Sequence, residues 1–326
     1  GGVTALLVTA AGLGFVAAPA GAAVSGTVYV DCAQTSGQGD GSLAAPFRTL
    51  GQANAVILAP GQSVLFKRGS TCQGTYAPQG SGSADQPIMV GAYGSGTARP
   101  VIDGAGATDT IVVKNLQGIE LRDLEVTNAA MPASQRRGVY LLLSDFGAAK
   151  HVVVDNMYVH DIAGDDSKAA DGSAGILASV VGDLQPSHFD DLQITNNTIE
   201  HVNRSGIVAV NSRWSQRPSH GDTTIIRPWA PSTGVVISGN TLRDVGGDGI
   251  VPQTAQGAVV EHNTVAGFQM RSAGYNAGMW PWNADGTVFR FNEVSGGANT
   301  RDGMAFDVDQ GTDGTVFEYN YSHDNA

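Results

Sequence analysis

Positive charge is scarce: 18 Lys and Arg stand against 30 Asp and Glu, a formal net charge of −12, and only 15% of residues are charged. With no basic stripe to meet phosphates, a nucleic-acid partner is excluded and a neutral or cation-bridged ligand is favoured. Cysteine is almost missing, with Cys32 and Cys72 the only two, and no HExxH step or closely spaced Cys/His set marks zinc. Long apolar runs are also missing, except for the small-residue stretch Val3 to Ala18, followed by Ala-Gly-Ala just before the first strand-like segment. That stretch reads as the h-region and cleavage zone of a signal peptide spanning residues 1–23. A membrane anchor is the alternative, although the run is short for a span. The chain opens on Gly-Gly instead of Met and a basic n-region, so the n-region is expected upstream. Export places the protein outside the cell, with no membrane association after signal removal. In that oxidising setting Cys32 and Cys72 pair, two buried free thiols being the alternative.

What is abundant is glycine, at 44 residues, with 42% apolar residues to fill a core. The glycines follow no collagen period and sit beside Asn, Asp, Ser or Thr, as punctuation between short strands. From about residue 115 a repeat returns. Its Asn step falls at Asn156, Asn197, Asn240, Asn263, Asn292 and Asn320, with Asp123 ahead of them, at spacings of 33, 41, 43, 23, 29 and 28 residues. A coil of about 23 residues with inserted loops fits these intervals, Asn being suited to a left-handed bend and to side-chain hydrogen bonds along a stack. A Gly step runs in phase at Gly138, Gly175, Gly206, Gly249, Gly278 and Gly303, each followed by an apolar residue: Val139, Ile176, Ile207, Ile250, Met279 or Met304. Two ladders in fixed order, with no helix between strands, predict an all-β parallel β-helix solenoid instead of an antiparallel sandwich. The expected organisation is an N-terminal cap and first coils over 24–114, then coils over 115–326. The next Gly-led strand would fall beyond Ala326, where a further catalytic group could stand.

The segment YVDCAQTSGQGDGSLAAPFRTLGQANAVILAPGQSVLFKRG, with GAYGSGTARPVIDG after it, resembles the N-terminal part of secreted, right-handed, pectin-lyase-like β-helix proteins of the carbohydrate-active type. The resemblance implies that FRTLGQANAVI is an amphipathic helix capping the open end of the solenoid. It implies the fold more strongly than the chemistry, because the scaffold hosts lyases, hydrolases, epimerases and noncatalytic proteins.

If the residue after each ladder Gly points in, the second, fourth and sixth residues point out. On the last two coils these are Trp280, Trp282 and Ala284, then Ala305, Asp307 and Asp309, while Gln253 faces out on the Gly249 strand. Aromatic rings suit the apolar faces of sugars, and carboxylates move protons. Glycoside hydrolysis uses two such carboxyls, so Asp307 and Asp309 are the first candidates, with Asp302, Asp248 and His323 as further catalytic candidates. The Cα atoms of Asp307 and Asp309 lie about 6.6 Å apart by strand rise, leaning towards inversion. Against this, the tryptophans read equally as packing, and Asp302 and Asp248 as Asp-Gly turns. His160, His201 and His323 follow their ladder Asn closely and read as decoration of the stack.

The loop Asn211 to Thr233 is too long for a turn and is expected to wall the site with Arg213, Trp214, Arg217, Arg227 and Trp229, either as ligand contacts or as Arg-on-Trp packing. Arg301 is a further binding candidate. The leading reading is a secreted glycoside hydrolase acting on a polysaccharide or oligosaccharide with no required cofactor. Polygalacturonase motifs are absent from the sequence. A Ca²⁺-dependent polysaccharide lyase would use Asp302, Asp307, Asp309 and Asp313 for the cation and Arg301 as base. A noncatalytic glycan-binding or adhesion solenoid would use the tryptophans alone.

Overall fold

The structure, a computed structural model, describes residues 26–326 except 35, 38, 170, 299 and 300. The expected signal segment therefore lies outside the described residues. Among those described, no helix is long and apolar enough to cross a membrane. Strands stack in three main sheets. The first has 12 strands, from Thr27–Val30 to Val316–Glu318; the second has nine, from Thr71–Gln73 to Tyr321–His323. The third has five, from Asp109–Lys114 through Arg137–Ser144, Ala174–Val181 and Ser205–Asn211 to Ile250–Pro252, and single bridges carry it on through Met279 and Phe306. Neighbouring strands of these sheets pair in parallel, as Ile176 with Ile207 and Val154 with Ile194 illustrate. Each turn of the chain visits the first, second and third sheets in that order, which is the expected solenoid.

One apolar core runs the length of the stack, and Val139, Ile176, Ile207, Ile250 and Met279 form an inward column at 0% exposure. The glycines beside this column have a packing reason. A Cβ on Gly138 would stand 2.6 Å from the carbonyl oxygen of Gly175, one on Gly206 2.8 Å from that of Gly249, and one on Gly249 2.3 Å from that of Gly278. Each glycine lets the next coil's backbone approach.

The Asn ladder is real but begins at Asn197. Asn197 donates to Asn240 Oδ1 at 2.9 Å, and the same step repeats from Asn240 to Asn263, from Asn263 to Asn292 and from Asn292 to Asn320. Asn156 and Asp123 belong to the neighbouring column, as Met157 N–H donates to Asn197 Oδ1 in the ladder position. The left-handed bend also falls one residue earlier than expected, at Asn196, His262, Phe291 and Tyr319, each with φ between 54° and 56°. The ladder asparagines supply the hydrogen bonds, and the residues before them supply the bend.

The last coil corrects the expected register. Phe306, not Met304, pairs with Met279, while Asn276 pairs with Asp302. Between these pairs two residues on one coil oppose three on the next, a bulge that leaves Met304 41% exposed. A shift of two residues preserves which face each side chain takes. Asp307 therefore still points outward, but it comes level with Trp280 instead of Trp282. Alternation then stops, since Val308 is exposed.

At the N-terminal end, the capping helix is shorter than FRTLGQANAVI: it covers Leu50–Asn54, capped by Thr49, and buries Leu50 and Ala53 in the common core. Cys32 and Cys72 form the expected disulfide.

Candidate active site

The outer face of the third sheet carries an apolar strip, with Tyr140, Leu177 and Val210 buried together and Val251 packed with Trp280 further along. These positions face out of the solenoid, yet flanking loops cover them. Residues 163–169 and 171–173 lie across the strip after the second sheet, and residues 212–231 wall the other side. Between them lies a cavity of about 210 Å³ lined by Leu177, Val208, Val251, Gln253, Trp280 and Trp282, with Lys168 and Asp248 at its polar end. A second, smaller space of about 60 Å³ is lined by Lys168, Asp248, Asn276, Trp280, Asp302, Asp307 and Asp309. Trp280, Lys168 and Asp248 are common to both. The sequence candidates Gln253, Trp282, Trp280 and Asp248 thus line the first space, and Asp302, Asp307 and Asp309 line the second, with Trp280 and Asp248 shared between them.

These residues do not share one role. Asp248 is 1% exposed and fully engaged. Its Oδ1 accepts from the Trp280 indole N–H at 3.0 Å and from Ala277 N–H at 3.2 Å, and its Oδ2 lies 3.3 Å from Lys168 Nζ and 3.4 Å from Arg204 Nη2. A carboxylate with these partners orients its neighbours, which is more than a simple turn residue does. Arg204 is itself buried at 1% exposure, donating to Asn276 Oδ1 at 2.6 Å and facing Asp166 Oδ1 at 3.3 Å.

Asp307 is half-buried, and Asp302 and Asp309 are exposed. Burial pushes the Asp307 carboxyl above its ordinary range; the Val308 N–H opposes this, while the charges of Asp309 and Asp302 add to it. Asp307 thus holds its proton to higher pH than a free carboxyl, as an acid catalyst does. Asp313, the fourth suggested calcium ligand, stands apart at a corner, paired with Asp285. Among the described residues no group of three or more His, Cys, Asp or Glu could hold a metal ion.

Other sequence candidates lie elsewhere. His323 is on the second sheet, held between Glu293 Oε1 at 3.0 Å and Asp324 Oδ2 at 2.8 Å and stacked on Tyr321. His160 repeats the pattern with Glu125, Asp161 and Tyr158, so decoration of the stack is the better description of both. Trp214 is buried in the main core, and the exposed Arg213 pairs with Asp183 at 3.7 Å. Arg301 stands over the Tyr275 ring at 5.5 Å.

Arg217 ties its loop down: it stacks on Trp229 at 4.2 Å, donates to Asn283 Oδ1 and pairs with Asp285, both at 2.6 Å. The Arg-on-Trp packing reading therefore describes this loop. His220 and Lys168, absent from the sequence candidates, matter more: the His220 ring meets Trp282 edge-on at 4.6 Å and buttresses it. Neither sits in a repeating pattern that sequence could reveal. Arg204 had a faint signal, a charged residue just ahead of a ladder Gly.

A family model described as a right handed beta helix region matches residues 185–326, in agreement with the three stacked parallel sheets. The chain is a right-handed parallel β-helix. Over 93% of this β-helix its sequence is 28% identical to a lacto-N-biosidase of Bifidobacterium longum subsp. longum, of which the match covers 24%. The native crystal structure of a GH136 lacto-N-biosidase from Eubacterium ramulus superposes with a TM-score of 0.76 at 23% identity, covering 91% of this chain and 56% of that one. Its selenomethionine derivative gives 0.78 at 22% identity. The β-helix thus spans about a quarter of the curated relative and just over half of the solved one.

Proposed function

We propose that this β-helix is a glycoside hydrolase that cleaves an oligosaccharide on the outer face of its third sheet, with a lacto-N-biose-containing glycan as the first substrate to test. The observation that carries the reading is the gathering of Asp302, Asp307 and Asp309 around a space that shares its Trp280 wall with a partly apolar cavity. Trp282 and Trp280 suit the apolar faces of sugar rings, and Gln253 suits a hydroxyl. Asp307, with its raised pKa, donates a proton to the glycosidic oxygen as the bond to the anomeric carbon breaks. A second carboxylate, from Asp309 or Asp302, either attacks that carbon or takes a proton from the water that does. Water is consumed in both cases, giving one new reducing end per bond. The lacto-N-biosidase activity of the relatives named above supports the same class. Export fits the apolar run at residues 3–18 and the disulfide, and N-terminal sequencing of the mature protein from culture medium tests it.

The test of the reaction is to incubate the chain with lacto-N-biose-containing oligosaccharides and quantify released sugars. Asp302→Asn, Asp307→Asn and Asp309→Asn are assayed in parallel. The acid and its partner should each lose about 10²- to 10⁴-fold in kcat, with glycan binding retained. Ultraviolet-absorbing unsaturated products, or no released sugar from the parent on any glycan, would overturn the proposal.

A further inference from the structure

We propose that Lys168 is a positioning residue, pinning the strap of residues 163–169 and 171–173 across the third sheet and fixing the Trp280 indole between the two cavities; this rests on the hydrolase reading above. The segment is anchored at its base, where Arg136 Nη1 donates to Ala163 O at 2.8 Å, Ser173 Oγ donates to Asp165 Oδ1 at 2.8 Å and the Arg137 guanidinium donates to Asp171 O. From there it reaches over the sheet. Ala174, Ser205 and Asp248 occupy one register position on successive coils, and Ala277 lies one coil further, so the crossing covers three coil spacings, about 14 Å. At the far side Lys168 Nζ donates to Tyr275 O at 2.6 Å and lies 3.3 Å from Asp248, and Ala273 N–H donates to Asp166 Oδ2 at 3.1 Å.

Trp280 is held in two directions by this arrangement. Its indole N–H is taken by Asp248, and Lys168 Nζ lies 4.9 Å from the ring centroid over one face. One face is thus occupied by the ammonium, leaving the rest of the ring to the cavities. Asp248 keeps Arg204, Trp280 and Ala277 as partners when Lys168 is replaced, so the buried carboxylate remains paired and the fold survives. The strap, in contrast, loses its bond to Tyr275 O and its ion pair together.

The experiment compares Lys168→Met and Lys168→Arg with the exposed control Lys150→Met in the full chain. Amide hydrogen exchange is read on the ligand-free protein, and KM and kcat on a cleaved oligosaccharide. Lys168→Met should speed exchange at Ala273 by about tenfold or more and raise KM about tenfold with a smaller change in kcat. Lys168→Arg should recover most of both, and Lys150→Met should leave both as in the parent. Unchanged exchange at Ala273 in Lys168→Met, or an equal fall in kcat with KM constant, would overturn the assignment. A parent that cleaves no glycosidic bond removes the hydrolase reading alone, because exchange on the ligand-free protein still decides whether Lys168 holds the strap.

Discussion

At the scale of single residues, the clearest consequences concern polar groups placed between coils. Asn240 accepts from Asn197 and donates both to Asn263 and to Ile194 O at 2.8 Å. Asn240→Ala should therefore cost about 1–3 kcal/mol, read as a lower denaturant midpoint with unchanged slope. His151 bridges Glu120 at 2.9 Å and Asp191 at 2.8 Å, carboxylates contributed by the coils before and after its own. Burial disfavours its charge, but the hydrogen bonds and charges of Glu120 and Asp191 prevail and raise its pKa above 6.5. A raised imidazole pKa stabilises the fold fully below about pH 6.5 and ceases to do so as pH climbs through the folded value. The melting temperature of the parent should thus exceed that of His151→Gln at pH 5.5, with the gap closing towards pH 9. In the site, the Asp307 carboxyl should titrate above 3.8 by carbon-detected NMR, and Asp309→Asn should lower its midpoint by removing a neighbouring charge. The ladder asparagines from Asn197 onward were legible in the sequence because the same step, an apolar segment meeting an Asn, recurs at each coil. Lys168 and His220 were not, because they act across coils through single contacts that leave no period.

Among the structural elements, a ladder glycine and a helix glycine carry opposite predictions. In Gly206→Ala the new methyl would lie 2.4 Å from Leu242 Cδ2 and 2.8 Å from Gly249 O, forcing two coils apart at a cost of about 1–3 kcal/mol. Gly51 sits in the short helix with its nearest neighbour at 3.8 Å, and Gly51→Ala should add about 0.5–1 kcal/mol. Thermal unfolding of the two variants checks both signs. Alternation along strands correctly placed Trp280, Trp282 and Asp307 on one face, since parity survives a two-residue shift. The bulge at Met304 escaped notice for the same reason: the Arg-Asp-Gly-Met step imitates the earlier Gly-led strands, and only backbone pairing reveals that Phe306 fills the place of Met279. Trp214 was misplaced because a loop carries no alternation to say which way a ring points. It turns into the core.

For the whole molecule, a net charge of −12 disfavours the approach of anionic ligands. Binding of a neutral oligosaccharide should hardly change between about 0.01 and 1 M salt, while the Debye length falls from about 30 to about 3 Å. A uronate polymer should bind weakly and gain affinity as salt screens the repulsion; calorimetric titrations of both ligands would separate the cases. The solenoid also divides its chain into parts under unlike constraint. Wherever a glycine lies against the carbonyl of the next coil, the spacing of the stack is fixed to within the size of one methyl group, and length cannot be added there. Residues 165–169 and 212–231 lie outside the glycine columns of the stack. New specificities would then be sought by exchanging these two segments, as with the variable loops of an antibody, on a spine that stays the same from one version to the next.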